Sequence, residues 1–533
     1  MSKSDNIATE NSLEVQSSWD AVPGTLNWEN KSSNGDLILY PQPSNDPDDP
    51  LNWTKIRKIV NLSLVLFYTF TTGIAGTSTY SILVPISEAT GITIAQLNNG
   101  TGYLFLLAGW TNLIWQPMAL TFGRRPVFLF SILGCVAMSE WAAHISSYGA
   151  WAACRCLLGA FVAPVEVLPE QCIAELFFSH ERSAWMGIYM LVLASSNYLA
   201  PLIAGYMNES IGWQWVQHWC ALLLALNFIL AFFFYEDTMF NRTTKEAEHV
   251  EGSDEDKYGH MITVNSPRNL DYSHKMNYLQ KMKLWRVNPL VTKRGFFDMV
   301  WRPVYFFFRF PIVAWAGVFY GFGLVWYNVF NATSSAILSA PPYNFSSDGV
   351  GLSYLAPLIG AIIGGLYCWS IVNYYAISLA RKNNGIREPE QRLWGLVLYN
   401  ILLPSGLILW GVGAAHEVHW IGLLFGAAFV SICNVLAGSF SLSYLIDCYK
   451  DISGEALVSV ILCRNTLSFG INYAITPWIN HSGLQNTFIV AAVLGLVTGL
   501  TFLIMIFGGK ALRKKGASAY IKAAETQIIH VAH

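Results

Sequence analysis

CRCLLGAFVAPVEVLPEQCIAELFF, residues 154–178, is an apolar run broken by three ionisable side chains, Arg155, Glu166 and Glu170, before it reaches Glu175. On a continuous helix advancing about 100° per residue, Glu166 falls about 20° and Glu170 about 60° from Arg155, so the three share one face. A charge near the centre of a bilayer costs ~2.5–3.5 kcal/mol even on the lenient insertion scale, so such a face must meet protein, water or a solute. Pro164 and Pro169 bracket Glu166 and leave the carbonyls of Ala160 and Val165 without their helical donors, which is how a helix opens around a bound solute. The stretch reads as the working part of a transporter.

The rest of the chain supplies the membrane context. Its 533 residues are 53% hydrophobic and 12% charged with mean hydropathy +0.38, too little charge to clothe a soluble protein of this size. Apolar runs at 59–83, 97–120, 127–146, 149–178, 184–207, 216–236, 304–334, 349–377, 394–414, 419–447, 456–479 and 485–508 are each long enough to span, which predicts twelve helices. The first fifty residues are polar and carry no apolar segment of a cleavable signal. Between alternate runs, 84–96, 147–149, 208–215, 335–348, 415–418 and 480–484 contain no Lys or Arg. The opposite set carries Arg124, Arg125, Arg182, the basic central loop, Arg381, Lys382, Arg387, Arg392, Lys450, Lys510, Arg513, Lys514 and Lys515, so both termini are expected in the cytoplasm.

Residues 1–50, ending in DPDDPLNW, read as a disordered cytoplasmic tail, and 511–533 as a second tail. A polar interruption at 240–303 separates a six-helix half at 51–239 from another at 304–510. Within it Met276, Leu279, Met282 and Trp285 alternate with Lys275, Lys281, Lys283 and Arg286, a pattern for a helix on the membrane surface or for a charged linker. The halves repeat. Glu181, Asn197-Tyr198 and Pro201 recur as Glu455, Asn472-Tyr473 and Pro477, and Ile173-Ala174-Glu175 recurs as Leu445-Ile446-Asp447. Duplicated halves place a solute site between them near the midplane.

Gln116-Pro-Met-Ala-Leu-Thr-Phe-Gly123-Arg124-Arg125-Pro126 sets fixed positive charge beside a tight turn, and Glu175 and Asp447 are its expected partners in a gate latch; simple topological anchoring is the plainer alternative. This turn resembles the loop motif of the major facilitator superfamily, and Arg155 in RCLLGAF resembles that family's fourth-span arginine motif. DPDDPLNW, PVEVLPE, HERSAWMGIYMLVLASSNYLAPLIAG, GWQWVQHW and YKDISGEALVSVILCRNTLSF together resemble fungal twelve-span drug:proton antiporters, particularly the group around the yeast high-affinity polyamine and cation permease, over about residues 46–510. The resemblance implies an all-α membrane protein of the major facilitator fold, proton coupling, and drugs, polyamines or other organic cations as cargo. Two departures stand out. Gln116 and Leu120 replace the usual Gly and acid of the loop motif, and Asn197, Ala200 and Ala204 surround Pro201 where the antiporter motif is Gly-rich, with Gly205 kept. The second favours uptake over export.

An intramembrane carboxylate can take a proton or neutralise a cation, which makes Glu166 and Glu170 the candidate proton and substrate groups; pairing with Arg155 or Arg464 is the structural alternative. Arg155 is expected to pair with Glu140, which lies about as far below the same short loop on the preceding run. Arg464 has no local partner, and is expected to hold Glu166 or Glu170 across the cavity or to bind an anionic solute. Tyr68, Trp110, Trp115, Tyr198, Tyr320, Trp326 and Tyr327 are mostly packing or interface residues, while Tyr327 and Asn328, where WYNVFN breaks an apolar run, are expected at the site.

Nine cysteines with no CxxC and no paired His/Cys cluster predict neither disulfides nor a metal site. No Gly-x-x-x-x-Gly-Lys-Ser/Thr loop offers ATP a cradle, and no nucleophile–base constellation suggests an enzyme. Of the sequons at Asn208, Asn331, Asn344 and Asn480, Asn344 is the glycosylation candidate. The expectation is a monomeric, cofactor-free plasma-membrane transporter of organic cations, polyamines first, coupled to protons, with no nucleic-acid partner. A drug or toxin exporter, an organic-anion permease and a transport-inactive nutrient sensor are the alternatives.

Overall fold

The computed structural model describes residues 23, 26–27, 46–240, 277–288, 291, 293–370, 386–450 and 452–532. Most of the N-terminal tail, the first part of the central loop, Lys275, Met276, Arg381 and Lys382 lie outside the described residues.

The first half is built from α1 (Lys55–Thr77), α2 (Ile94–Trp110), α3 (Asn112–Phe122), α4 (Arg124–Ala142), α5 (Tyr148–Val162), α6 (Leu168–Leu176), α7 (Ser179–Ile211) and α8 (Trp213–Phe234). The second comprises α9 (Lys293–Arg309), α10 (Pro311–Ser339), α11 (Ser347–Ser353), α12 (Leu355–Ser370), α13 (Val397–Leu407), α14 (Trp420–Cys448), α15 (Ser453–Ser482), α16 (Leu484–Leu500) and α17 (Phe502–Ala532). Side chains start several of them: Thr93 and Gln96 form a reciprocal capping box on α2, and the hydroxyls of Thr54 and Ser147 cap α1 and α5.

Ten helices among the described residues are long and apolar enough to cross a membrane. The two other expected crossings are helical but differ for physical reasons. The run at 97–120 is divided between α2 and α3 by a turn at Thr111, and α15 carries Arg464, Asn465, Ser468 and Asn472 as buried polar residues. Of the two readings of the basic segment, a surface helix or a charged linker, the described residues 277–288 show helix over a single turn only, Tyr278–Lys281. An amphipathic helix does occur, but later, as α9, which exposes Phe297, Trp301, Tyr305 and Phe308 along one side. The segment after Tyr278–Lys281 instead docks on the end of α3, where the backbone of Arg286 and Asn288 donates to the carbonyls of Phe122 and Thr121.

Within the first half α1 packs on α7 and α8, α2 on α5, and α4 on α8; in the second, α10 packs on α14 and α15, and α14 on α12 and α13. The halves meet along two seams, α2 on α15 and α7 on α11 and α12. Besides contacts deeper in the seams, a group of polar contacts joins the halves at the end whose loops lack Lys and Arg. There Asn208 donates to Ser347 (3.0 Å), Asn98 to Thr476 (3.2 Å) and to the Ala332 carbonyl (3.3 Å), and Ser335 to the Ser81 carbonyl (3.5 Å). Toward the basic end a smaller apolar patch joins Leu113 and Val167 to Val458, Ile461 and Leu462, while α6 packs chiefly on α1 and α7 of its own half.

Gly205 makes the α7–α11 seam close. A methyl group on it would meet the Ser347 carbonyl and the Cα of Gly351, both backbone atoms that cannot turn away. Gly205→Ala should therefore lower the melting temperature of the purified protein, by the equivalent of ~1–3 kcal/mol for overpacking. An unchanged melt would mean that the seam opens without cost.

Candidate functional site

The decisive stretch does not form one helix. It runs as α5, a 3-10 turn at Ala163–Glu166, and α6, so the common face computed for a continuous helix does not survive the break. Both carbonyls released by the prolines are occupied by side chains. Ala160 accepts from the Trp115 indole (2.8 Å) and the Thr111 hydroxyl (3.4 Å), and Val165 accepts from the Tyr189 hydroxyl (3.0 Å). The break is thus held open by protein rather than awaiting a solute.

That geometry turns Glu166 toward the other half. Its carboxylate forms an ion pair with Arg464 of α15, and its second oxygen accepts from the Asn465 amide at 2.9 Å. The Arg464 guanidinium also donates to the Tyr320 hydroxyl (2.9 Å) and lies over that ring, 4.9 Å from its centroid. Glu170 stands within electrostatic reach of Arg464 and Glu166, yet makes no hydrogen bond or ion pair among the described residues. Arg464 thus pairs directly with Glu166 and reaches Glu170 only through space.

Tyr327 and Asn328 are buried in α10, where the Asn328 amide nitrogen has no hydrogen-bond partner among the described residues and the Tyr327 hydroxyl lies beside Asn331. Tyr327 packs edge-on against Tyr198 (5.6 Å), whose hydroxyl bonds Ser431 across the halves at 2.7 Å. Tyr189 and Asn465 were not singled out from sequence. Asn465 had a signal, adjacency to the unpartnered Arg464; Tyr189 had none.

Of the expected pairings, Arg124 with Glu175 forms, and two others come out differently. Arg155 does not meet Glu140: it donates to Thr79 (2.9 Å) and the Gly76 carbonyl (3.4 Å) of the α1 end and lies over the Trp151 ring, because its side chain turns inward to the first helix. Glu140 faces outward, to His218 (3.0 Å) and His144 (3.7 Å). Asp447 is engaged by Arg392 (3.1 Å), whereas Arg124 pairs with Glu175 and Arg125 donates to the carbonyls of Phe232 and Tyr235. Each half therefore closes its own acid–base pair at corresponding places rather than sharing one latch. Gly123, at φ +94°, makes the turn that delivers Arg124; a side chain there would run into Asp237.

Arg513, expected only as a topological anchor, is fully buried between Glu388 (2.6 Å) and Glu390 (2.8 Å) and donates to the Pro23 carbonyl (2.6 Å). Asn344 is exposed in the loop between α10 and α11, whereas Asn331 is buried. All nine cysteines are free thiols.

Two helical halves related by repeated positions, joined by an ion pair at a broken helix, are the anatomy of a secondary transporter. The sequence profile of the Major Facilitator Superfamily matches residues 65–446. The chain belongs to that superfamily. It is 31% identical to an uncharacterised MFS-type transporter of Schizosaccharomyces pombe, over 91% of this chain and 90% of the relative. It is 26% identical to the protein HOL1 of Saccharomyces cerevisiae, over 93% and 95%, and 25% identical to the multidrug transporter FLU1 of Candida albicans, over 89% and 75%. This superfamily member is a multi-pass membrane transporter of small molecules, not an enzyme.

Removing the donor to a buried carbonyl costs ~1–3 kcal/mol. Tyr189→Phe and Trp115→Phe should each lower the melting temperature, the second by less, since Val165 loses its side-chain donor whereas Ala160 keeps the longer bond from Thr111. Unaltered melting in both variants would show that the helix break is sustained without these bonds.

Proposed function

We propose that this transporter moves organic cations, polyamines foremost, by alternating access coupled to protons. The observation that carries the reading is the charge count at the break: Glu166 and Glu170 against the single guanidinium of Arg464. An unmatched charge in the membrane interior is costly, and a proton or an ammonium on Glu170 completes the balance. The cross-half pair of Glu166 and Arg464 supplies the coupling, because an incoming cation that takes over Glu166 releases a contact between the halves. Tyr320, already over Arg464, offers a ring face to a cation.

The polar contacts between the halves at the Lys/Arg-free end support access from the basic end, which the positive-inside rule makes cytoplasmic, with both termini on that side of the plasma membrane. The altered surroundings of Pro201 favour uptake. A drug or toxin exporter working by proton antiport is the second reading, favoured by the likeness to the multidrug transporter FLU1 of Candida albicans.

Labelled spermidine uptake, measured at two external pH values in cells lacking other permeases, tests this. Wild type should take up label faster at the lower pH, and Glu166→Gln and Glu170→Gln should each reduce uptake about tenfold or more, the equivalent of ~1.4 kcal/mol or above. Uptake indifferent to both substitutions would sink the site assignment; no uptake, but acquired resistance to a toxic compound, would select the exporter. Asn344, exposed on the proposed outer face, should carry a glycan. An endoglycosidase-sensitive mobility shift that disappears in Asn344→Gln supports this topology, and its absence from wild type counts against modification there.

A further inference from the structure

Glu140, His144 and His218 form a cluster unrelated to the ion pair between the halves. Glu140 lies in the last turn of α4, His144 four residues on just past its end, and His218 in the second turn of α8, which packs against α4. One carboxylate oxygen is 3.0 Å from Nδ1 of His218 and the other 3.7 Å from Nε2 of His144. One ligand atom from each of the three residues can be chosen so that all lie within 4.8 Å of one another. The histidine rings meet edge to face at 5.6 Å, and Trp215 closes one side, 5.4 Å from His218.

The geometry points to a divalent transition-metal site, with two imidazoles and one carboxylate as ligands and water in the remaining position. Four ligands at ~2.0–2.2 Å from Zn2+ require donor atoms roughly 3.3 Å apart in a tetrahedron. Side chains that are 50%, 68% and 25% exposed at Glu140, His144 and His218 can close the remaining distance by rotation. Imidazole donors favour Zn2+, Cu2+ or Ni2+ over Mg2+ or Ca2+. No basic residue competes along the chain, since the sequence has no Lys or Arg between Arg125 and Arg155 or between Arg182 and Arg242. Among the described residues the only ion-pair partners of Glu140 are these two histidines. Sequence spacing concealed the site because His218 lies far along the chain and arrives through the α4–α8 packing. A bound metal ties these helices together at the Lys/Arg-free end.

The test uses the full-length protein in detergent, stripped with a chelator. Calorimetric titration with Zn2+ should show saturable binding of one ion per chain, and Co2+ should acquire the visible absorption of a low-coordinate nitrogen–oxygen site. His144→Ala and His218→Ala should each weaken Zn2+ binding by more than ~10-fold. Trp215→Phe should retain it, and metal-free melting of His144→Ala should match wild type, because that side chain is 68% exposed. Zn2+ should raise the melting temperature of wild type but not of the double histidine variant. Lack of saturable binding to wild type, or undiminished binding to either histidine variant, would overturn the three-ligand site.

Discussion

The ion pair between Glu166 and Arg464 governs the structure because it is largely withdrawn from water and shared between two bodies. Taking two charges out of water costs several kcal/mol per ion, returned only when their geometry and remaining hydrogen bonds are good. Asn465 and Tyr320 supply those bonds, one to each partner. Once formed, the pair is hard to part: removing one partner leaves an uncompensated charge at a cost of ~3–5 kcal/mol. Separation of the halves at this point therefore requires a replacement for whichever charge is withdrawn.

Elsewhere, charged groups consolidate each half. Arg124 with Glu175 fixes the start of α4 to the end of α6, and Arg392 with Asp447 secures the end of α14 in the second half. Arg302 with Glu455 holds α9 to the start of α15, while Arg513 binds the α17 helix to Glu388 and Glu390. These contacts suit two bodies that move as units, with Glu166–Arg464 as an ionic link between them. The Gly205–Gly351 approach adds a steric link at the opposite end, where backbone meets backbone.

Physical rules read along the chain were most informative where a residue type forces a consequence. A proline must release the carbonyl four residues earlier, and the two carbonyls so identified are the ones that recruit Trp115, Thr111 and Tyr189. An arginine without a local acid must find a distant one, and Arg464 does. Rules that presume continuity were less reliable. The common face of Arg155, Glu166 and Glu170 assumed an unbroken helix, although the same prolines impose the 3-10 turn that redirects it. The pairing of Arg155 with Glu140 considered depth but not azimuth; Arg155 points to α1 and Glu140 to α8. Apolarity also understates α15, because a helix that carries the site's polar side chains is shielded by neighbouring helices rather than by its own composition.

On the proposed reading, charge balance also bears on cargo. Two carboxylates face one guanidinium at the helix break, so one further positive charge closes the count. One ammonium, at Glu170 or at Glu166 with Arg464 displaced toward Glu170, supplies it without a proton and so takes the proton's place. A chain bearing two ammonium groups separated by methylenes can reach both carboxylates, and the released guanidinium then needs another partner. Monovalent and polyvalent cargo would therefore differ at the same pair of carboxylates, because the first replaces only the proton on Glu170 whereas the second also breaks the link through Arg464.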